Sequence, residues 1–247
     1  MALPDTLAAR LIQTIRTNGL SGSFAMLGRQ RWIGGRKKAS LALFERVLEE
    51  HLPGLTEADL VNAHDIYSET FFTKLGFESV DSIDFSPFEN ASIIQDLSAP
   101  LAPELENRFD VIYDGGTCEH IFELATAYRN IDRMLKPGGV LIGHSPTDGW
   151  VNHGFYQICP EMVYGFWQKA MGYELIECFL QPLLPAFAEK VVTTTNPNET
   201  GKRPRLSDKL APGGIMLIYA VRKPSDTAPE GLRRAYQTDY TEKWSNT

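Results

Sequence analysis

The 247-residue sequence is poor in cysteine: Cys118, Cys159 and Cys178 are the only three, and none forms a CxxC pair. This spacing excludes a disulfide framework and gives no cysteine zinc site. Long hydrophobic runs are also missing. The longest strongly apolar stretch, residues 215–221, falls far short of the roughly 20 residues a membrane-spanning helix needs. The first residues carry Asp5, Arg10 and Arg16 and lack the apolar centre of a signal peptide. Basic residues are outnumbered 24 to 31, for a net charge of −7, so nothing draws the chain generally to nucleic acid. The expectation is a cytoplasmic protein with no membrane or nucleic-acid partner; its oligomeric state is not readable. Hydrophobic residues are 43% and charged residues 22%, which suits a folded domain and excludes a disordered chain.

What is present alternates between strand and helix patterns. Leu7, Leu11, Ile12 and Ile15 fall on one face of a helix over 5–17,. Residues 23–28 are a short apolar run closed by glycine, as in a buried strand. Helices are expected over 39–51 and 57–75, the second capped by Thr56 with Asp59 three residues on,. Strands follow over 80–84, 92–97 and 109–114. A helix over 121–135 then ends at Lys136-Pro137-Gly138-Gly139 and leads into a strand over 140–143,. A helix over 161–171 and strands over 173–180 and 214–222 complete the core. This order predicts a Rossmann-like, doubly wound α/β fold with a mostly parallel seven-stranded sheet. One domain is expected over 1–223, with a helical insertion at about 36–78 and a loop insertion at about 182–212. Residues 224–247 are expected to form a tail docked through Tyr236, Tyr240 and Trp244.

In such sheets ligands bind beyond the carboxyl ends of the strands, where strand order reverses. Asp84 closes one strand there, where a carboxylate can accept both hydroxyls of a ribose. Asp96 closes the next, where it can accept an exocyclic amine; either Asp also suits an ordinary turn. The stretch 109–121, FDVIYDGGTCEHI, followed by LKPGG at 135–139, resembles the class I S-adenosylmethionine-dependent methyltransferases. The resemblance is close over about 79–145. It implies methyl transfer with S-adenosyl-L-methionine as cofactor. It places Asp84 on the ribose, Asp96 and Leu97 beside the adenine, and Asp114, Gly115 and Gly116 near the methionine moiety. Glu119 and His120 would line the floor between cofactor and acceptor. The loop after the first core strand departs from the family pattern. Gly28-Arg29-Gln30 has one glycine where several are expected, so Arg29 or Gln30 side chains would bind the cofactor carboxylate in place of backbone N–H groups. Gly28 and Asp84 are 56 positions apart, against about 20 in such a unit. The altered loop supports an alternative, a non-catalytic or altered-cofactor member that binds a ligand or partner.

A second constellation spans 144–157, where His144, Asp148, Asn152, His153, Tyr156 and Gln157 crowd together. Methyl transfer to a hydroxyl needs the acceptor oxygen aligned and a base to take its proton. His153 is the first candidate base and His144 the second, with Asn152, Tyr156 and Gln157 orienting the acceptor. An ordered aromatic loop is the plainer reading. NHGFYQ at 152–157 also resembles a segment of methyltransferase-like proteins from bacterial surface-polysaccharide gene clusters, which implies a sugar acceptor. Glu119, His120, His144, Asp148 and His153 could converge on a metal, but they lack HExxH or any other short ligand spacing. No metal is expected. The cations Arg29, Arg31, Arg36, Lys37 and Lys38, with Lys202, Arg203 and Arg205, form either a solvated face or an attraction for an anionic acceptor such as a nucleotide-linked sugar.

Overall fold

The computed structural model describes residues 2–34, 38–206, 208–225 and 235–237. Arg36, Lys37, Tyr240, Trp244 and most of the expected tail lie outside these residues. β1 (Ala2–Leu3) pairs in parallel with β3 (Arg31–Trp32) as a small separate ribbon. Between them come α1 (Asp5–Thr17) and β2 (Gly22–Leu27), both where the sequence pattern puts them.

Among the described residues the main sheet has eight strands in the order β5-β4-β2-β6-β7-β10-β8-β9. They are β4 (Phe77–Asp84), β5 (Ile93–Ile94), β6 (Phe109–Asp114), β7 (Leu135–Asp148), β8 (Glu174–Pro182), β9 (Val192–Thr193) and β10 (Ile215–Arg222), with β2 near the centre. β5, β4, β2, β6 and β7 run parallel, whereas β10 is antiparallel to both β7 and β8. The eighth strand, β9, adds to the expected seven. It lies in the 182–212 insertion and pairs with β8, so that segment is partly ordered by the sheet edge. Thr194 reinforces this by donating its hydroxyl to the Cys178 carbonyl at 2.9 Å.

Period-two alternation sends successive residues to opposite faces. Phe24, Met26, Val111, Tyr113, Val140, Ile142 and Ile218 face a core shared with α1, α2 (Lys38–His51) and α3 (Glu69–Lys74). Ala25, Leu27, Ile112, Leu141, Leu217 and Tyr219 face a second core under α4 (Leu124–Met134) and a π-helix over Met162–Ala170. The connection from β2 to β4 covers one face and that from β6 to β7 the other. Strand order therefore reverses at β2, which puts a crevice at its carboxyl end between β4 and β6.

Three elements differ from their expected form, the first being the strand expected over 92–97, which is only Ile93–Ile94 and leaves Asp96 in the turn beyond it. The helix expected over 57–75 is a short turn at Glu57–Asp59, an irregular stretch, and only then α3. Asn62 Oδ1 accepts the Thr70 N–H at 2.8 Å and Asp65 Oδ1 accepts the Tyr67 N–H at 3.0 Å. These side chains take backbone donors that a continuous helix would need. β7 extends through Asp148, held to β10 over its whole outer half. His144 to Asp148 are consequently strand residues, and the loop begins at Gly149.

Candidate active site

Gly28 ends β2 with φ +64°, a left-handed turn that glycine adopts without strain,. Its N–H donates to the Ile83 carbonyl at 2.7 Å, holding the ends of β2 and β4 together. Beside it opens a cavity of about 480 Å³, lined by Gly28, Asp84, Phe85, Asp96, Thr117 and His120 among others. Asp84 is half-buried and accepts the Ser86 N–H at 3.1 Å. Asp96 is exposed and accepts the Ser98 N–H at 2.8 Å and the Ser98 hydroxyl at 2.7 Å. Leu97 is buried beneath, its carbonyl accepting from Asn130 at 2.9 Å.

The loop residues after Gly28 are already engaged. Arg29 donates to Glu69 at 2.5 Å and to Asp65 at 2.8 Å, and its guanidinium lies 3.9 Å from the Tyr67 ring centroid. It lines a separate cavity of about 510 Å³ with Asn62, Asp65 and Glu69. Arg31 pairs with Glu89 at 2.6 Å, so these two cations face acidic partners within the chain. The Gln30 side chain is buried, donates to the carbonyls of Leu27 and Gly28 at 3.1 and 3.4 Å, and packs on Gly115. A Cβ at Gly115 would come within 2.8 Å of Gln30. Gln30 fills space that the extra glycines expected in this loop would leave open.

At the end of β6, Asp114 is fully buried. One carboxylate oxygen accepts the Thr117 and Cys118 N–H groups at 2.8 and 3.3 Å, while the other has no hydrogen-bond partner among the described residues. Burial raises its pKa. The chain then turns through Cys118–His120. Glu119 is 1% exposed, and neither of its carboxylate oxygens has a hydrogen-bond partner among the described residues. Burial first, and then the charge of Asp114, push its pKa up to about 8.

The loop after β7 folds onto this turn. Phe155 and Tyr156 donate their N–H groups to the Glu119 carbonyl at 2.8 and 3.2 Å, and the Tyr156 hydroxyl donates to the Phe122 carbonyl at 2.8 Å. The approach is close enough that a Cβ on Gly154 would stand 2.8 Å from that Glu119 oxygen. The fold thereby brings His153 Nε2 to 3.7 Å, and His120 Nε2 to 3.8 Å, from Glu119 Oε1. The two imidazole rings are 5.0 Å apart, and both side chains are roughly two-fifths exposed. Burial lowers the pKa of His120, with His153 contributing in the same direction.

His144 lies elsewhere. On β7 it points into the core, fully buried, with Nδ1 3.1 Å from the Tyr113 hydroxyl. Burial holds its pKa down to about 3, so the ring is neutral. Asp148 is exposed at the strand end. Of the five residues considered for convergence, Glu119, His120 and His153 meet: one ligand atom from each lies within 4.8 Å of the others. Phe85 and Phe122, 75% and 66% exposed at the cavity, were not singled out from sequence. An aromatic directly after the strand-closing Asp84 was the available signal.

Residues 74–143 match the family model described as a methyltransferase domain. That span contains Asp84, Asp96, Asp114 and the Glu119–His120 turn. No curated protein matches the chain. Among solved structures, the chain is similar to the N-methyltransferase NodS from Bradyrhizobium japonicum in complex with S-adenosyl-L-homocysteine. The identity is 14% over 87% of this chain and 85% of that one, with a TM-score of 0.43. It is also similar to the 1,6-didemethyltoxoflavin-N1-methyltransferase of Burkholderia thailandensis, at 17% identity over 89% and 80%, TM-score 0.43. A 4+2 cyclase, SpnF, scores alike: 16% identity over 88% and 81%, TM-score 0.43. Likeness at this level carries nothing about substrate or chemistry. What the comparisons show is therefore a likeness to a methyltransferase domain over residues 74–143, the segment that carries the carboxylates around the crevice.

Proposed function

We propose that this enzyme transfers the methyl group of S-adenosylmethionine to a hydroxyl of a small-molecule or sugar acceptor, with His153 receiving the acceptor's proton. The carrying observation is the cavity at the strand-order reversal, lined by Asp84, Asp96 and His120 together. Asp84 and Asp96 each retain acceptor capacity beyond their turn bonds, as ribose hydroxyls and an adenine amine require. Asp114, Gly115 and Gly116 would neighbour the methionine moiety. When bound, the cofactor supplies an electrophilic methyl group on a sulfonium sulfur. The chain's own work is to hold the acceptor oxygen in line with that carbon and to take its proton as the carbon–oxygen bond forms and the carbon–sulfur bond breaks. His153 is positioned for this beside the cavity-lining His120. Tyr156 fixes the loop that carries it. His144, sealed in the core, would act only by supporting the sheet through Tyr113. The sugar class rests on the likeness of residues 152–157 to polysaccharide-cluster proteins.

A second reading draws on the Gly28–Gln30 loop. With Arg29 tied to Asp65 and Glu69 and Gln30 packed on Gly115, the methionine end of the site is narrower than in a glycine-rich loop. That supports a protein binding a different or smaller ligand. Thermal unfolding with S-adenosylhomocysteine separates the two. At 100 times its dissociation constant a ligand stabilises by about 2.7 kcal/mol, a rise of several degrees. A saturable rise is expected, and its absence at millimolar ligand would favour the second reading.

A further inference from the structure

We propose that Glu119, His120 and His153 form a binding site for one divalent transition-metal cation, of the zinc or ferrous type, beside the cavity. The central observation is a buried carboxylate without a hydrogen-bond partner among the described residues. Glu119 is 1% exposed, and this holds for both its oxygens. A buried polar group in that state is costly and calls for an explanation. Among the described residues, His153 Nε2 at 3.7 Å and His120 Nε2 at 3.8 Å pair with this carboxylate but are too far for hydrogen bonds. They are close to the separation of two ligands on one cation. With bonds of about 2.0–2.1 Å in a tetrahedral site, neighbouring ligand atoms stand about 3.4 Å apart. All three ligand atoms lie within 4.8 Å of one another, and rotation of the two part-exposed imidazoles is what would draw them together. Two imidazoles and one carboxylate are also a donor set suited to zinc or iron.

The surroundings are built to hold this set. Glu119 and His120 share one short turn, and the backbone N–H groups of Phe155 and Tyr156 clamp the loop bearing His153 onto the Glu119 carbonyl. The Trp150 ring, anchored by its N–H to the Ile215 carbonyl at 3.0 Å, lies 4.8 Å from the His153 ring. Such outer contacts fix ligand orientation in metal sites. Three protein ligands leave a fourth position, as in catalytic sites. Because His120 lines the cavity, that position adjoins the cavity. Sequence spacing gave no hint of this, since adjacent Glu119 and His120 meet a distant His153.

Cation binding itself does not depend on methyl transfer, but its catalytic consequence rests on that reading. With the cation bound, His153 Nε2 is a ligand and no longer the proton acceptor proposed above, a role it keeps only in the cation-free protein. The acceptor hydroxyl then takes the fourth position and loses its proton to solvent water. The test is calorimetric titration of untagged, chelator-treated protein with zinc sulfate, alongside His153→Ala, His120→Ala and Glu119→Gln. One zinc per chain is expected for the wild type, with affinity at least about tenfold weaker in each variant. The S-adenosylhomocysteine shift measured on the same samples reports an intact fold and cofactor site. Absence of saturable one-to-one binding overturns the proposal, as does equal affinity in wild type, His153→Ala and His120→Ala. Zinc binding without any S-adenosylhomocysteine shift upholds the site and overturns the methyl-transfer reading instead.

Discussion

Four carboxylates sit at one edge of the sheet, and they form two contrasting pairs. Asp84 and Asp96, at the β4–β5 side, are solvated and spend part of their capacity on turn N–H groups. Asp114 and Glu119, at the β6 side, are sealed from water with three of their four oxygens unpartnered among the described residues. A solvated carboxylate keeps its charge and exchanges water for ligand hydroxyls at little cost. A sealed one is unstable as an anion until something neutralises it. The first pair suits a ligand that comes and goes, whereas the second suits a proton or cation held in place. On the proposed function, cofactor binding falls to the first pair, which lines the cavity, and acceptor chemistry to the neighbourhood of the second.

If the two roles are separable, substitutions should act on one and spare the other. The largest effect is expected from His153→Ala. Transfer of labelled methyl from S-adenosylmethionine to a panel of sugars and nucleotide sugars should fall by about 100-fold or more, with affinity for S-adenosylhomocysteine unchanged. A variant that retains full transfer on any acceptor the wild type methylates would remove His153 from the chemistry. Asp84→Ala should do the converse. Loss of a hydrogen bond to a charged group is worth about 1.5–3 kcal/mol, so the S-adenosylhomocysteine dissociation constant should rise about 10- to 100-fold. Zinc affinity should stay constant, and the unfolding free energy should change by less than about 0.5 kcal/mol. A loss of zinc affinity in Asp84→Ala would merge the two roles into one site.

The division was only half legible in the sequence. Local patterning carried the frame: the apolar run at β2, FDVIYD at β6 and the face of α1 each report burial within a few residues. The solvated pair was legible because Asp84 closes β4 and Asp96 follows just beyond β5, near where the strand pattern ends. The sealed pair was visible as residues but not as a geometry. His144 and Asp148 read as loop neighbours of His153 because their stretch is punctuated by Pro146 and Gly149. Pairing with β10 makes them strand instead, and alternation turns the His144 ring into the core. Glu119 meets His153 only because Gly154 lets two segments touch, a long-range contact that no spacing rule encodes. The helix expected over 57–75 was lost for a related reason. Asn62 and Asp65 compete for the backbone, and composition alone does not say whether such residues will cap or interrupt.

The smallest effect expected concerns protons, and its sign follows from the sealed groups alone. Glu119 has a folded pKa of about 8 against an ordinary value of 4.5. The folded state therefore binds the extra proton, and this contribution to stability is present below pH 4.5 and lost as pH rises through 8. His144 runs the other way. At about 3 against 6.5, its contribution is present above pH 6.5 and lost as pH falls towards 3. Between 4.5 and 6.5 the two slopes oppose and cancel. Between 6.5 and 8 Glu119 acts without His144, and each unit of rising pH should cost about 1.4 kcal/mol. Asp114, raised by burial, adds a slope of the same sign as that of Glu119. In chelator-treated protein, urea unfolding at pH 6.5, 7.25 and 8 should show stability declining across the series. Glu119→Gln, which has no proton to lose, should flatten most of the decline. Wild-type stability that climbs from pH 6.5 to 8 would mean that water or a neighbouring group already solvates Glu119, and the contrast between the two carboxylate pairs would collapse.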